Sequence, residues 1–121
     1  MLTNQGLNQI ATLISNSLSI GAVGTDSTTP TTGDTDLGSP ITETKIAFDS
    51  ITVSDNLITT VYVLPVNLAN GNNISEYGVY LNDGSNDNLV SRFIYSPITK
   101  NDQIEVIFKA EYLVNRKWAY L

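Results

Sequence analysis

Near its C-terminal end this chain alternates without a break, and that alternation constrains the fold more than any other feature. Ile104, Val106, Phe108, Ala110, Tyr112 and Val114 occupy every second position, with Glu105, Lys109 and Glu111 between them. Successive side chains of an extended strand point to opposite faces, so the apolar set lines one face and the charged set the other. The residues before it follow the same rule less cleanly. The segment 42–48 alternates in a mixed way, and Ser54-Asp55-Asn56 reads as a turn. Residues 57–66 are rich in β-branched side chains, with Pro65 marking the strand's end or a sheet edge. Asn70-Gly71 is the strongest short-range turn signal, because a type I′ turn needs positive φ at both central positions. It predicts a hairpin between 57–68 and 74–81. The run from Asn82 to Asp87 is a second loop leading into 89–95, and 97–102 is a third.

One segment carries helical period. Leu7, Ile10, Ala11, Ile14 and Leu18 fall on one face, and Asn8, Thr12, Ser15 and Asn16 take the others. A helix is predicted over about 4–18, with Thr3 or Asn4 as N-cap. Residues 19–24 are small and apolar and read as a short strand, with Gly24 permitting a turn or a close backbone approach. The stretch 25–40 is rich in Thr, punctuated by Gly and Pro, and longer than an ordinary connection. It reads as a loop or arm, either functional or pinned across a surface, in which Asp34-Thr35-Asp36-Leu37 could form one helical turn anchored by Leu37. Residues 116–121 are a short cationic and aromatic tail. With 121 residues the chain is one domain's worth. The expected fold is mainly β: an antiparallel β-sandwich or curled sheet of about six strands with one N-terminal α-helix covering an end or a face.

Composition excludes much chemistry. The chain has no His and no Cys, which removes Cys/His zinc sites, thiol nucleophiles, the Ser-His-Asp triad, disulfides and iron–sulfur ligation. Charged residues make up 15% of the chain, against about 25% in an average domain. Neutral side chains fill the gap, with 14 Thr, 13 Asn and 11 Ser. Net charge is −6, and residues 1–44 carry Asp26, Asp34, Asp36 and Glu43 with no cation to offset them. Such a surface does not capture a phosphate backbone, so no nucleic-acid partner is expected. No apolar run approaches the roughly 20 residues that span a bilayer, so no membrane partner is expected either. Phosphate-loop, Rossmann and Gly-x-Ser-x-Gly patterns are missing from the sequence, and no cofactor is expected.

Few residues remain that carry chemistry. Asp34 and Asp36 lie two apart and share a face on an extended segment, but loop solvation and capping account for them better than catalysis. The loop at 82–88 is rich in hard oxygen ligands but lacks the order of a calcium loop, so no metal is assigned there. Glu76 shares a face with Ile74, Gly78 and Tyr80, while Tyr77, Val79 and Leu81 form an equally apolar second face. Glu76 is then either on a solvent face or a partly buried carboxylate needing Arg92, Lys45 or backbone amides as partners. Trp118 and Tyr120 are candidates for stacking on sugars, or for packing on the chain's own sheet or a neighbouring subunit.

The order of motifs resembles the small tail-fibre and baseplate-attachment domains of tailed bacteriophages. Leu2-Thr3-Asn4-Gln5-Gly6-Leu7 is similar to their "(I/L)-T-N-x-G" helix start, and Ile20-Gly21-Ala22-Val23-Gly24-Thr25 to their "I-A-V/L-G-T/D-G" strand. Thr28-Thr29-Pro30, followed by Asp34-Thr35-Asp36-Leu37-Gly38, resembles their "T-x-P … D-T-x-L-G/N" loop. The run from Asn70-Gly71 through Ile74, Glu76, Gly78 and Tyr80, then Asp83-Gly84 and Leu89-Val90-Ser91-Arg92, resembles "N-G-x-x-I-x-E-x-G-L-Y/F … D-G … L-x-A-R". Tyr77 stands where those domains usually have a small or aliphatic residue, and Val79 where Leu is common. The resemblance implies a non-enzymatic virion structural protein of the tail, baseplate or fibre: an adaptor, a decoration or a short fibre. It implies that Gly24, Asp34, Asp36, Leu37, Asn70, Gly71, Glu76, Gly78 and Arg92 are structural. It also implies that Thr28, Thr29, Pro30, Trp118 and Tyr120 are subunit contacts. The implied partners are a homo-oligomer, a trimer as in fibres, and other tail or baseplate proteins. The implied location is the virion, assembled in the host cytoplasm. The alternative is a carbohydrate-binding module that recognises a host glycan.

Overall fold

The computed structural model describes residues 1–115. Its helix, α1, spans Asn4–Ser17. Thr3 is the N-cap, its hydroxyl accepting from the Gly6 amide at 3.0 Å. The buried stripe differs from the one the apolar residues mark. Leu7, Ala11 and Ser15 are buried and Ile10 is exposed. Ser15 can take this place because its hydroxyl donates to the Thr12 carbonyl at 2.8 Å, so burial leaves no unpaired group there.

Seven strands follow: β1 (Leu18–Gly24), β2 (Ile46–Ala47), β3 (Ser50–Ser54), β4 (Leu57–Leu64), β5 (Asn73–Asn82), β6 (Asp87–Thr99) and β7 (Val106–Leu113). They form two antiparallel sheets, ordered β2-β1-β5-β6 and β3-β4-β7. The fold is a β-sandwich with one N-terminal helix. The mixed alternation at 42–48 resolves into a 3₁₀ turn, Thr42–Thr44, and the two-residue β2.

Two expectations about turns are corrected. Asn70-Gly71 does not close a hairpin, because β4 and β5 lie in different sheets and the intervening residues cross between them. The left-handed positions are Ala69 (φ 61°) and Gly71 (φ 86°), not Asn70. Tertiary partners impose this. The Ala69 amide donates to Glu43 Oε1 at 2.8 Å, and the Gly71 amide to the Lys100 carbonyl at 2.9 Å. Lys100 is fully buried beside them, and its ammonium donates to the Asn70 side-chain oxygen and to the carbonyls of Val66 and Asn101. The loop expected to begin at Pro97 is instead strand, since β6 continues to Thr99 opposite Asn73. Pro97 is tolerated because β6 is an edge strand and residues 95–97 bulge against Ser75 between the Ile74–Ile98 and Glu76–Ile94 pairs. Ile74, expected to share a face with Glu76, joins the main core with Tyr77 and Val79.

The main core lies between the sheets. Tyr62, fully buried, tilts against Tyr77 and Phe108, and its hydroxyl donates to the Thr44 carbonyl at 2.6 Å. Helix α1 packs along β3 and β4 and closes one side of the sandwich. On the other side, where β6 and β7 are the outer strands, Tyr77, Phe93, Ile94, Tyr95 and Phe108 line a cleft of about 250 Å³. The outer face of the four-stranded sheet holds a second, smaller core of Ala22, Leu37 and Tyr80, with Ile20 and Leu89 packed against it. Leu37 is the one member supplied by the loop after β1.

Candidate functional site: a strap over the four-stranded sheet

Residues 25–40 do not project as a free arm. They return along the outer face of the sheet, where Pro40 bridges to Gly24. The helical turn expected at 34–37 does not form. Leu37 still anchors the segment, because it reaches the sheet where Gly78 has no side chain. A Cβ at Gly78 would lie 2.8 Å from Leu37 Cδ2.

Glu76 fastens this strap. It is 0% exposed, so of its two readings the structure selects the buried carboxylate. Its Oε1 accepts from the Gly38 amide at 2.8 Å and from Arg92 Nε at 2.9 Å. Its Oε2 accepts from the Ser39 amide at 2.8 Å and the Asp26 amide at 3.1 Å. Lys45, also weighed as a partner for Glu76, pairs instead with Asp36 at 3.6 Å. Gly24 is the register partner of Glu76, and a Cβ there would lie 2.3 Å from Oε2. Gly24 therefore serves a close approach: it leaves the volume that the carboxylate fills.

Arg92 stands on β6 opposite Gly78, with its side chain 4% exposed. Besides Glu76 it reaches Asp34 at 3.3 Å and Asp26 at 3.9 Å. The hydrogen bond to Glu76 raises the guanidinium pKa further, so the charge is permanent. Asp34 and Asp36 both turn to the sheet but do different work. Asp34 meets Arg92 and accepts from the amide and hydroxyl of Thr31. Asp36 accepts from the Tyr80 hydroxyl and pairs with Lys45. Burial, reinforced by the bond to Asp36, pushes the Tyr80 phenol up, which keeps it a donor.

The strap's own carboxylates are all shifted down. The Thr28 hydroxyl and amide hold Asp26 below the usual carboxylate range, with Arg92 adding to the effect. The Thr31 amide and hydroxyl do the same for Asp34. Burial works against ionising Asp36, but Tyr80, the Leu37 amide and Lys45 outweigh it. A carboxylate whose folded pKa is depressed stabilises the fold fully above its unfolded value, about 3.9 for Asp, and that contribution disappears as pH falls through the folded value. The thermal midpoint is therefore expected to hold from about pH 7 to about pH 5 and to drop below about pH 4. Asp34→Asn should flatten that acid limb. A wild-type midpoint unchanged down to about pH 2 would show that these carboxylates do not hold the strap.

The structure thus brings together Gly24, Asp34, Asp36, Leu37, Glu76, Gly78 and Arg92. It places Asn70 and Gly71 elsewhere, at the crossing held by Lys100. Sequence reasoning missed Asp26 and the amide donors of Gly38 and Ser39. Asp26-Ser27-Thr28 carries a local signal, since Asp26 accepts from the amide and hydroxyl two residues on. Nothing in the sequence marks the backbone donors. Thr28 and Thr29 are exposed at the strap's tip and Pro30 is half-buried. In the 82–88 loop, Asp83 Oδ1 is engaged by the amides of Ser85 and Asn86. Trp118 and Tyr120, and with them the glycan reading, lie outside the described residues.

Chemically the arrangement is a fastener. Both oxygens of Glu76 are filled by the chain's own donors, so the carboxylate has no free acceptor position to offer an outside molecule. Around it, four carboxylates (Asp26, Asp34, Asp36 and Glu76) meet two cations (Arg92 and Lys45), so the strap face carries an excess of two negative charges. In comparisons with protein families, curated proteins and solved structures, the chain matches none.

Proposed function

We propose that this chain is a non-enzymatic structural protein of a tailed-bacteriophage virion, in the tail, baseplate or fibre, acting by oligomeric assembly as an adaptor or short fibre. The observation that carries the reading is the convergence of the motif residues. Gly24, Asp34, Asp36, Leu37, Glu76, Gly78 and Arg92 are far apart in sequence, carry the resemblance to phage attachment domains, and meet in one fastening whose polar groups face each other. Residues used in this way build shape.

In this reading the strap's tip, with Thr28, Thr29 and Pro30, offers neutral hydroxyl groups to a neighbouring tail or baseplate protein. Such a contact desolvates few ions. Copies of the chain also meet each other in a homo-oligomer, for which the resemblance to fibre domains implies a trimer. The test is to purify phage particles from an induced lysate of the source strain on a density gradient. The chain is expected to co-sediment with the particles at a fixed ratio to their tail proteins. Recovery only in the particle-free fractions overturns the proposal.

A further inference from the structure

Strand β7 is one of the two outer strands of the three-stranded sheet, so one of its edges has no partner strand among the described residues. An open edge presents a row of unpaired amides and carbonyls, which native proteins blunt or cover. We propose that this edge pairs antiparallel with β7 of a second copy of the chain, about a twofold axis at Ala110, joining two three-stranded sheets into one of six strands.

The sequence of β7 is self-complementary in that register. With Ala110 on the axis, Lys109 stands opposite Glu111 of the partner subunit, and Glu111 opposite Lys109 of the partner subunit. One step further out, Ile107 meets Leu113 of the partner subunit. All four side chains lie on the outward face of the sheet, where Ile107 is 61% and Leu113 60% exposed, more than any other large apolar side chain on a strand. On the inward face, Phe108 meets Tyr112 of the partner subunit. Opposite charges and apolar pairs directly across a ladder are favourable, and like charges are not. Sliding the register by two residues sets Lys109 against its own copy in one direction, and Glu111 against its own copy in the other. The charges therefore favour this alignment over both neighbouring ones.

The backbone allows it. The Val114 amide donates to the Asn56 carbonyl at 2.8 Å, toward the β4 side. Amides alternate sides along an antiparallel strand, so those of Ile107, Lys109, Glu111 and Leu113 point to the open edge. These are the residues that would exchange bonds with the second copy. The aromatic cleft opens on the same side, with Phe93 and Ile94 exposed at its mouth, while α1 closes the opposite side. A second copy at β7 covers the side of the sandwich that the described elements leave open. The contact is isologous and closed. It rests on the strand and not on the virion reading, and it favours a twofold over a threefold contact.

The experiment is light scattering on the full chain over a range of concentrations. The wild type is expected at twice the 13.1 kDa of one chain. Lys109→Glu places two like-charged pairs across the axis, as does Glu111→Lys, and each variant is expected to halve the mass. Both sites are exposed, so the far-ultraviolet circular dichroism should not change. A one-to-one mixture of the two variants restores opposite charges across the axis and should return to twice the chain mass. So should the double variant, with its signs exchanged. A wild type that is monomeric at every concentration or that weighs three chains overturns the proposal. A dimer that both reversals leave intact, or single variants that neither mixing nor the double exchange restores, does so equally.

Discussion

Glu76→Gln is expected to lower the unfolding free energy by about 3–5 kcal/mol, because it breaks a buried ion pair from one side. The guanidinium of Arg92, 4% exposed, would keep its charge and lose its closest counterion. The damage extends to the backbone. A glutamine presents an oxygen to one pair of donors and an NH₂ to the other, so two N–H groups face a donor. Those would be either Gly38 and Arg92 or Asp26 and Ser39. Unpaired buried donors each cost about 1–3 kcal/mol. The double variant Glu76→Leu/Arg92→Met removes both charges together but leaves the amides of Asp26, Gly38 and Ser39 without an acceptor, so it should stay destabilised, by about 3 kcal/mol or more. Urea unfolding followed by circular dichroism measures both. A loss below about 1 kcal/mol for Glu76→Gln would mean that water solvates the carboxylate.

Tyr62→Ala should cost about 3–5 kcal/mol, through a different mechanism. The ring is fully buried between the sheets, against Tyr77 and Phe108, and it packs over the bare backbone of Gly21. Its removal leaves a cavity whose walls belong to both sheets and cannot collapse without shifting their spacing. Tyr62→Phe keeps the ring and loses only the bond to the Thr44 carbonyl, for about 1 kcal/mol. The difference between the two variants isolates the packing contribution. Equal losses would place the importance of Tyr62 in its hydroxyl and not in holding the sheets together.

What could be read from residue order differs from element to element. The alternation of β7 was legible because one face of the three-stranded sheet is open to solvent, so burial leaves a period of two in the sequence. β5 carried no such mark. It is buried on both faces, by the opposing sheet and by the strap, so Glu76 stood among apolar neighbours with its environment undecided. The Asn70-Gly71 signal was real as a turn signal, but turn chemistry is local and does not say whether the flanking strands stay in one sheet. That depended on Lys100 and Glu43, which hold the crossing from elsewhere in the chain. Pro97 read as a break because the sequence does not reveal that β6 lies at an edge, where a missing donor is tolerated.

The candidate site shows the same division. The residue types were visible: a lone carboxylate in an apolar run, a single Arg in the next strand, glycines at 24 and 78, and an acidic loop with one leucine. Their meeting was not, because Gly24 and Glu76 pair across β1 and β5, Arg92 comes from β6, and three of Glu76's four donors are backbone amides of the strap. Every non-proline residue carries an amide, so amides leave no trace in composition or spacing.

By itself, the sequence determined the class of fold, a mainly β antiparallel sandwich or curled sheet with one N-terminal helix, since periodicity and turn residues are local consequences of how side chains alternate and where φ turns positive. It also determined that no cysteine or histidine chemistry is available to the chain. The tertiary structure alone decided which strands share a sheet, that residues 25–40 are pinned across the outer face as a strap, as one of their two readings had it, and that Glu76 is buried. Each of these depends on contacts between residues distant in the chain, whose free energy comes from shared burial and mutual pairing that no local pattern encodes.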